Sequence, residues 1–84
     1  MKIKRTLHIT KLSEHNINIS EEIYIYDNDG LYSGYMYNNT YCDEIENNDI
    51  GFRALCNGTY IRYYFLNDYE SISNEIHLNG KVGE

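Results

Sequence analysis

The chain has 84 residues, with 7 Lys+Arg against 13 Asp+Glu and a formal net charge of −6. That length fits one domain over residues 1–84 and excludes a dinucleotide-binding unit, a kinase or a barrel enzyme, because ordinary domains run to about 100–150 residues. No stretch approaches the roughly 18 consecutive apolar residues of a membrane-spanning helix. Residues 1–12 are basic but lack the apolar run of a signal peptide, so a cytoplasmic protein is expected.

Ile and Asn each occur 11 times and Tyr 10 times, whereas Pro is absent and Ala54 is the sole alanine. Such a bias matches A/T-rich coding DNA, which should also enrich Lys; only Lys2, Lys4, Lys11 and Lys81 are present. Either positive charge is disfavoured here or Lys is low by chance in a short chain. The layout sharpens this: residues 1–11 carry +4, residues 12–52 carry −9 with no Lys or Arg, and residues 53–84 carry −1. A one-signed block of this length sets up a field that repels nucleic acid and anionic membranes and attracts basic protein surfaces.

Taken in chain order, the pattern is period-2 almost throughout. Ile3, Arg5, Leu7 and Ile9 alternate with Lys2, Lys4, Thr6, His8 and Thr10, predicting a first strand over residues 2–10. Ile17, Ile19, Ile23 and Ile25 alternate with Asn18, Ser20, Glu22, Tyr24 and Tyr26 in a second. Glu21 falls on the apolar face of that strand, so a bulge or break is expected at residues 20–22. Asp27-Asn28-Asp29-Gly30 is a turn, returning as a strand over residues 31–37. Asn38-Asn39 reads as a weaker turn, and residues 40–49 as a loop or one helical turn. Residues 50–56 and 59–66 are strands joined by Asn57-Gly58, the strongest hairpin signal in the chain. Residues 71–78 read as a strand or short helix, and Asn79-Gly80 as a final turn. The expected fold is all-β: a small antiparallel barrel or curled sheet of about six short strands, with α+β carrying one short helix as the alternative.

No catalytic residue, metal or cofactor is assigned. His8, His15, His77, Cys42 and Cys56 show no spacing that presents two ligands from one local element. In the Asp27–Gly30 stretch, a calcium loop would place Ile25 and Met36 where carboxylates are required. No nucleophile elbow or phosphate-cradling glycine loop occurs. Cys42 and Cys56 are expected as free thiols. Lys2 and Lys4 on one strand, with Tyr60, Arg62 and Tyr64 on another, give a single-strand nucleic-acid module as one alternative, opposed by the negative net charge.

Protein binding is favoured instead. Tyrosine offers large contact area at low rotamer entropy, and asparagine offers adaptable hydrogen bonds. The candidate partner-binding residues are Asp27, Asp29, Asp43, Glu44, Glu46 and Asp49, with Tyr24, Tyr26, Tyr35 and Tyr37. Carboxylates two residues apart on a strand lie about 6.6 Å apart, close to the roughly 6.8 Å advance of two phosphate steps. An acidic strand can therefore occupy a groove built for nucleic acid. With its few lysines, the segment Asp43-Glu44-Ile45-Glu46-Asn47-Asn48-Asp49 and acids set among tyrosines, the chain resembles in overall character the small acidic inhibitors of phages and mobile elements, such as anti-CRISPR proteins and other nucleic-acid mimics. That resemblance implies a non-enzymatic inhibitor in the host-cell cytoplasm, blocking a basic nucleic-acid-binding site on a partner such as a CRISPR effector. A second alternative is a homo-oligomeric structural or accessory protein of a phage or mobile element, assembled through exposed strand edges.

Overall fold

In the computed structural model, which describes residues 1–74, period-2 alternation builds seven strands in two sheets. The all-β expectation holds, as a curled pair of sheets and not a closed barrel. β1 (Lys2–Ser13), β2 (Asn16–Tyr26) and β3 (Tyr32–Cys42) form an antiparallel meander. The chain then crosses at Asp43 into a smaller antiparallel sheet of β4 (Glu44–Asn47), β5 (Gly51–Cys56) and β6 (Thr59–Phe65). A single 3-10 turn, Leu66–Asp68, returns it to β7 (Ser71–Asn74) beside β1. The larger sheet has the order β3-β2-β1-β7 and the smaller one β4-β5-β6.

β7 pairs with β1 in parallel, whereas antiparallel strands were expected throughout. A parallel pair needs a long crossover, and here the whole smaller sheet supplies it. The helix alternative fails: among the described residues the only helical element is that 3-10 turn, and residues 71–74 are strand. Residues 75–78 and the expected Asn79-Gly80 turn lie outside the described residues.

Three other expectations are corrected. Asn38-Asn39 does not turn; β3 runs through it, because the Asn38 amide donates to Glu21 Oε1 at 3.0 Å and Asn39 Oδ1 accepts from Asn18 Nδ2 at 3.1 Å. Residues 40–49 are mostly strand, with only Asp43 and residues 48–49 outside one. Tyr41 and Cys42 complete β3, and β4 pairs with β5 while Ile45 packs on the core. Nor does a bulge relieve Glu21. β1 and β2 pair in unbroken register across Leu7 and Glu21, and the irregularities fall instead near Lys11, Ile25 and Ala54. The carboxylate simply goes inside.

Asn57-Gly58 behaves as expected. Both residues have positive φ, 52° and 76°, as a type I′ hairpin requires. Gly51 is fixed by proximity: a Cβ there would lie 2.0 Å from the Tyr64 carbonyl oxygen.

The core lies between the two sheets. Leu7, Ile9, Ile17, Ile19 and Cys42 from the larger sheet meet Phe52, Ala54 and Tyr64 from the smaller. The Phe52 and Tyr64 rings stack at 5.1 Å. Cys42 and Cys56 are free thiols, and burial pushes the Cys42 thiol up to about 11. β1 spans about 40 Å at 3.3 Å per residue, but the strands of the smaller sheet reach only about half that or less. One end of the inner face is therefore left open. Ile3 is 48% and Met36 54% exposed there, beside the half-buried Ile23 and Ile25.

Candidate functional site

The outer face of the larger sheet carries nothing on top of it among the described residues. Alternation sends Lys2, Lys4, Thr6, His8 and Thr10 of β1 to this face, with Tyr26, Tyr24, Glu22, Ser20 and Asn18 of β2 opposite them. β3 adds Tyr32, Tyr35, Tyr37, Asn39 and Tyr41. Six of the ten tyrosines thus share one surface.

Contacts among these side chains hold them in place. The Tyr24 and Tyr35 rings are tilted against each other at 4.9 Å, and Tyr32 lies 6.4 Å from Tyr24 and 6.2 Å from Tyr26. Glu22 sits at the centre. Its Oε1 meets His8 Nε2 at 2.7 Å, and its Oε2 accepts from the hydroxyls of Tyr24 at 3.0 Å and Tyr35 at 3.4 Å. The His8 hydrogen bond, followed by that of Tyr24, lowers the Glu22 pKa. The carboxylate in turn raises the Tyr24 phenol, and desolvation followed by Glu22 raises that of Tyr35. Further along, the hydroxyls of Ser20 and Tyr37 lie 2.8 and 3.2 Å from Asn39 Oδ1. Half the polar groups of this surface are thereby already oriented by neighbours, which reduces the ordering entropy a binding event must overcome.

The candidate residues separate into two regions. Tyr24, Tyr26, Tyr35 and Tyr37 come together on this face, and Asp27 and Asp29 stand at its end in the β2–β3 turn. Asp27 Oδ1 accepts the backbone N–H groups of Asp29 and Leu31, both at 2.9 Å, so it builds the turn. Asp43, Glu44, Glu46 and Asp49 belong to the smaller sheet and its approaches. Asp43 Oδ2 accepts from Asn57 N at 2.7 Å, pinning the crossover, and Glu46 accepts from Arg53 Nε at 2.9 Å. Asp27 and Asp43 follow opposite ends of the β2–β3 ladder, about 30 Å apart at 3.3 Å per residue. The ten residues therefore do not form one patch. Tyr60, Arg62 and Tyr64 do not form an open stacking platform either, since Tyr64 is 1% exposed under the Arg62 guanidinium.

Glu21 is the residue whose role the alternation pattern concealed. It is 1% exposed. Arg5 Nη2 donates to its Oε2 at 2.9 Å, Arg62 Nη2 to Oε1 at 3.0 Å and Asn38 Nδ2 to Oε1 at 3.0 Å. The Tyr69 hydroxyl completes the ring of donors. Burial pushes the carboxyl pKa up, but the bonds from Tyr69, Asn38 and Arg5 and the charge of Arg62 outweigh it and hold the group below 4.5. The cluster ties β1, β2 and β3 to β6 and to the segment before β7. It anchors the two sheets.

Among the described residues no three His, Cys, Asp or Glu side chains gather as a metal site, and no helix is long and apolar enough to cross a membrane. No family model, curated protein or solved structure matches the chain.

Proposed function

We propose that this chain is a non-enzymatic protein-binding inhibitor. The tyrosine face of the larger sheet makes the contact, and the acidic groups steer a basic, nucleic-acid-binding partner toward it. The supporting observation is the uncovered row of Tyr24, Tyr26, Tyr32, Tyr35, Tyr37 and Tyr41, in which ring contacts join Tyr24, Tyr26, Tyr32 and Tyr35 and Glu22 accepts from Tyr24 and Tyr35. Tyrosine is enriched where interfaces concentrate their energy. The carboxylates Asp43, Glu44, Glu46 and Asp49, on a separate sheet, act at longer range on the rate of encounter. A target such as a CRISPR effector, with its positively charged channel, suits this chemistry.

The test compares two variant sets against a partner recovered from host lysate. Tyr24→Ala with Tyr35→Ala and Tyr37→Ala should weaken affinity by at least about 30-fold, corresponding to loss of a hot spot. Glu44→Lys with Glu46→Lys should mainly slow association and flatten its salt dependence. Equal affinity of the tyrosine variant and the parent would refute the contact face.

A second reading has one specific observation behind it. Lys2 pairs with Tyr26 and Lys4 with Tyr24 across β1 and β2, setting cations beside half-buried rings on an uncovered sheet face, as single-strand-binding sheets do. The net charge of −6 opposes it. A low-salt titration with single-stranded oligonucleotide decides: saturable binding lost in Lys2→Glu and Lys4→Glu supports this reading, and no binding removes it.

A further inference from the structure

The larger sheet ends on β3, an edge strand of 11 residues. Its sequence, Tyr-Ser-Gly-Tyr-Met-Tyr-Asn-Asn-Thr-Tyr-Cys, contains no charge and no proline. Soluble proteins guard long edges with charges, proline, bulges or shortness, because the unpaired backbone groups of an edge template further pairing. The other edges here are guarded. β4 has four residues and carries Glu44 and Glu46. β6 carries Arg62, whose guanidinium turns inward to Glu21. The open part of the β1 edge beyond β7 carries Lys2 and Lys4. β3 has only a bulge near its start, at the register shift between Ile25 and Tyr26, and residues 34–42 then run in unbroken register with β2.

We propose that β3 is a homodimerisation edge: two copies pair β3 with β3 in antiparallel fashion, giving one continuous eight-stranded sheet. Three features select a second copy as the occupant. First, each chain carries −6, so copies repel each other at most surfaces, but a strand with no charge adds no local repulsion. Second, a strand pairing antiparallel with itself is related by a two-fold axis, which closes the assembly and consumes both unguarded edges. Among the described residues the edges left outermost are the four-residue β7 and the lysine-bearing part of β1 beyond it, so the sheet stops at two copies. Third, the open apolar end of the inner face reaches this edge through Met36, adjacent to Ile23 in the β2–β3 register. Pairing brings the Met36 side chains of both copies toward one another on the inner side. The same two-fold axis places both tyrosine faces on the opposite side, where they merge into one surface. This proposal does not rest on the tyrosine reading, because Met36 faces away from those rings.

Sedimentation velocity over a range of concentrations tests it, with hydrogen exchange of the backbone as a second measurement. The parent chain should reversibly form dimers, no weaker as salt rises, since screening reduces repulsion between two −6 chains. Met36→Lys introduces an inward charge at the edge and should raise the dimer dissociation constant at least about ten-fold, because like charges face each other. Met36→Leu should leave it unchanged. Amides in residues 34–42 should become more protected as concentration rises. A parent chain that stays monomeric at every concentration would overturn the proposal. So would a folded Met36→Lys chain that dimerises like the parent, or concentration-dependent protection confined to β4 or β6.

Discussion

Replacing Glu21 by glutamine removes one charge from the centre of the protein and keeps its shape. Two guanidinium hydrogen bonds, at 2.9 and 3.0 Å, lose their ionic acceptor, and one of the two Gln positions presents an N–H to a donor. Breaking a buried ion pair by removing one partner costs about 3–5 kcal/mol. The Arg5 and Arg62 side chains are 31% and 40% exposed and regain water, which places this case at the lower end, about 3 kcal/mol. For a domain this small, each kcal/mol shifts the midpoint by about 4–8 °C, so Tm should fall by about 12–24 °C. Urea titration followed by circular dichroism gives the difference directly. The pH dependence supplies an independent check. Glu21 has a folded-state pKa below the ordinary 4.5, so its contribution is fully present above that value and is lost as pH falls through the folded pKa. The stability gap between parent and Glu21→Gln should therefore be constant at neutral pH and shrink in acid. A loss under about 1 kcal/mol, or a gap that grows in acid, would refute Glu21 as the ionised anchor between the sheets.

Other outcomes follow from single positions. Gly51→Ala places a Cβ 2.0 Å from the Tyr64 carbonyl and must push β5 from β6; it should cost at least about 2 kcal/mol in the same urea assay, and a loss under about 0.5 would contradict the close approach. Gly58→Ala forces a side chain onto φ 76° and should cost about 1 kcal/mol, read by thermal melting. Thiol labelling at neutral pH should modify Cys56 while Cys42, buried with its thiol pushed up to about 11, reacts only on unfolding; fast double labelling of the native protein would contradict its burial.

Local physics explains what the amino-acid order revealed. Alternation marks a strand whatever its partner, and Asn57-Gly58 is favoured by the positive φ of its own two residues. The failures share a different cause. Asn38 and Asn39 look like turn residues because their side chains usually bond to nearby backbone; here Glu21, Asn18 and the hydroxyls of Ser20 and Tyr37 claim those groups from across the sheet. Glu21 on an apolar face looked like a fault in the strand because its four donors come from positions as distant as Arg5, Arg62 and Tyr69. The opposed charges of residues 1–11 and 12–52 suggested a dipolar molecule. Folding lays those segments side by side, and Arg5 with Glu21 neutralises part of the contrast. The tyrosines at 24 and 26, and those at 35 and 37, were legible as two same-side pairs because period-2 geometry alone aligns each pair; the β2–β3 register of the fold joins them on one face. The acids were not, because sequence distance does not reveal that Asp43 begins a second sheet.

Hydroxyl-radical footprinting of tyrosine side chains, with and without the bound partner, tests the contact face most directly. Tyr24, Tyr26, Tyr32, Tyr35, Tyr37 and Tyr41 should lose reactivity on binding, while Tyr60 and Tyr63 of the smaller sheet keep theirs. Protection of Tyr60 and Tyr63 with the six outer-face rings still reactive would contradict it, and would move the contact to the acidic sheet.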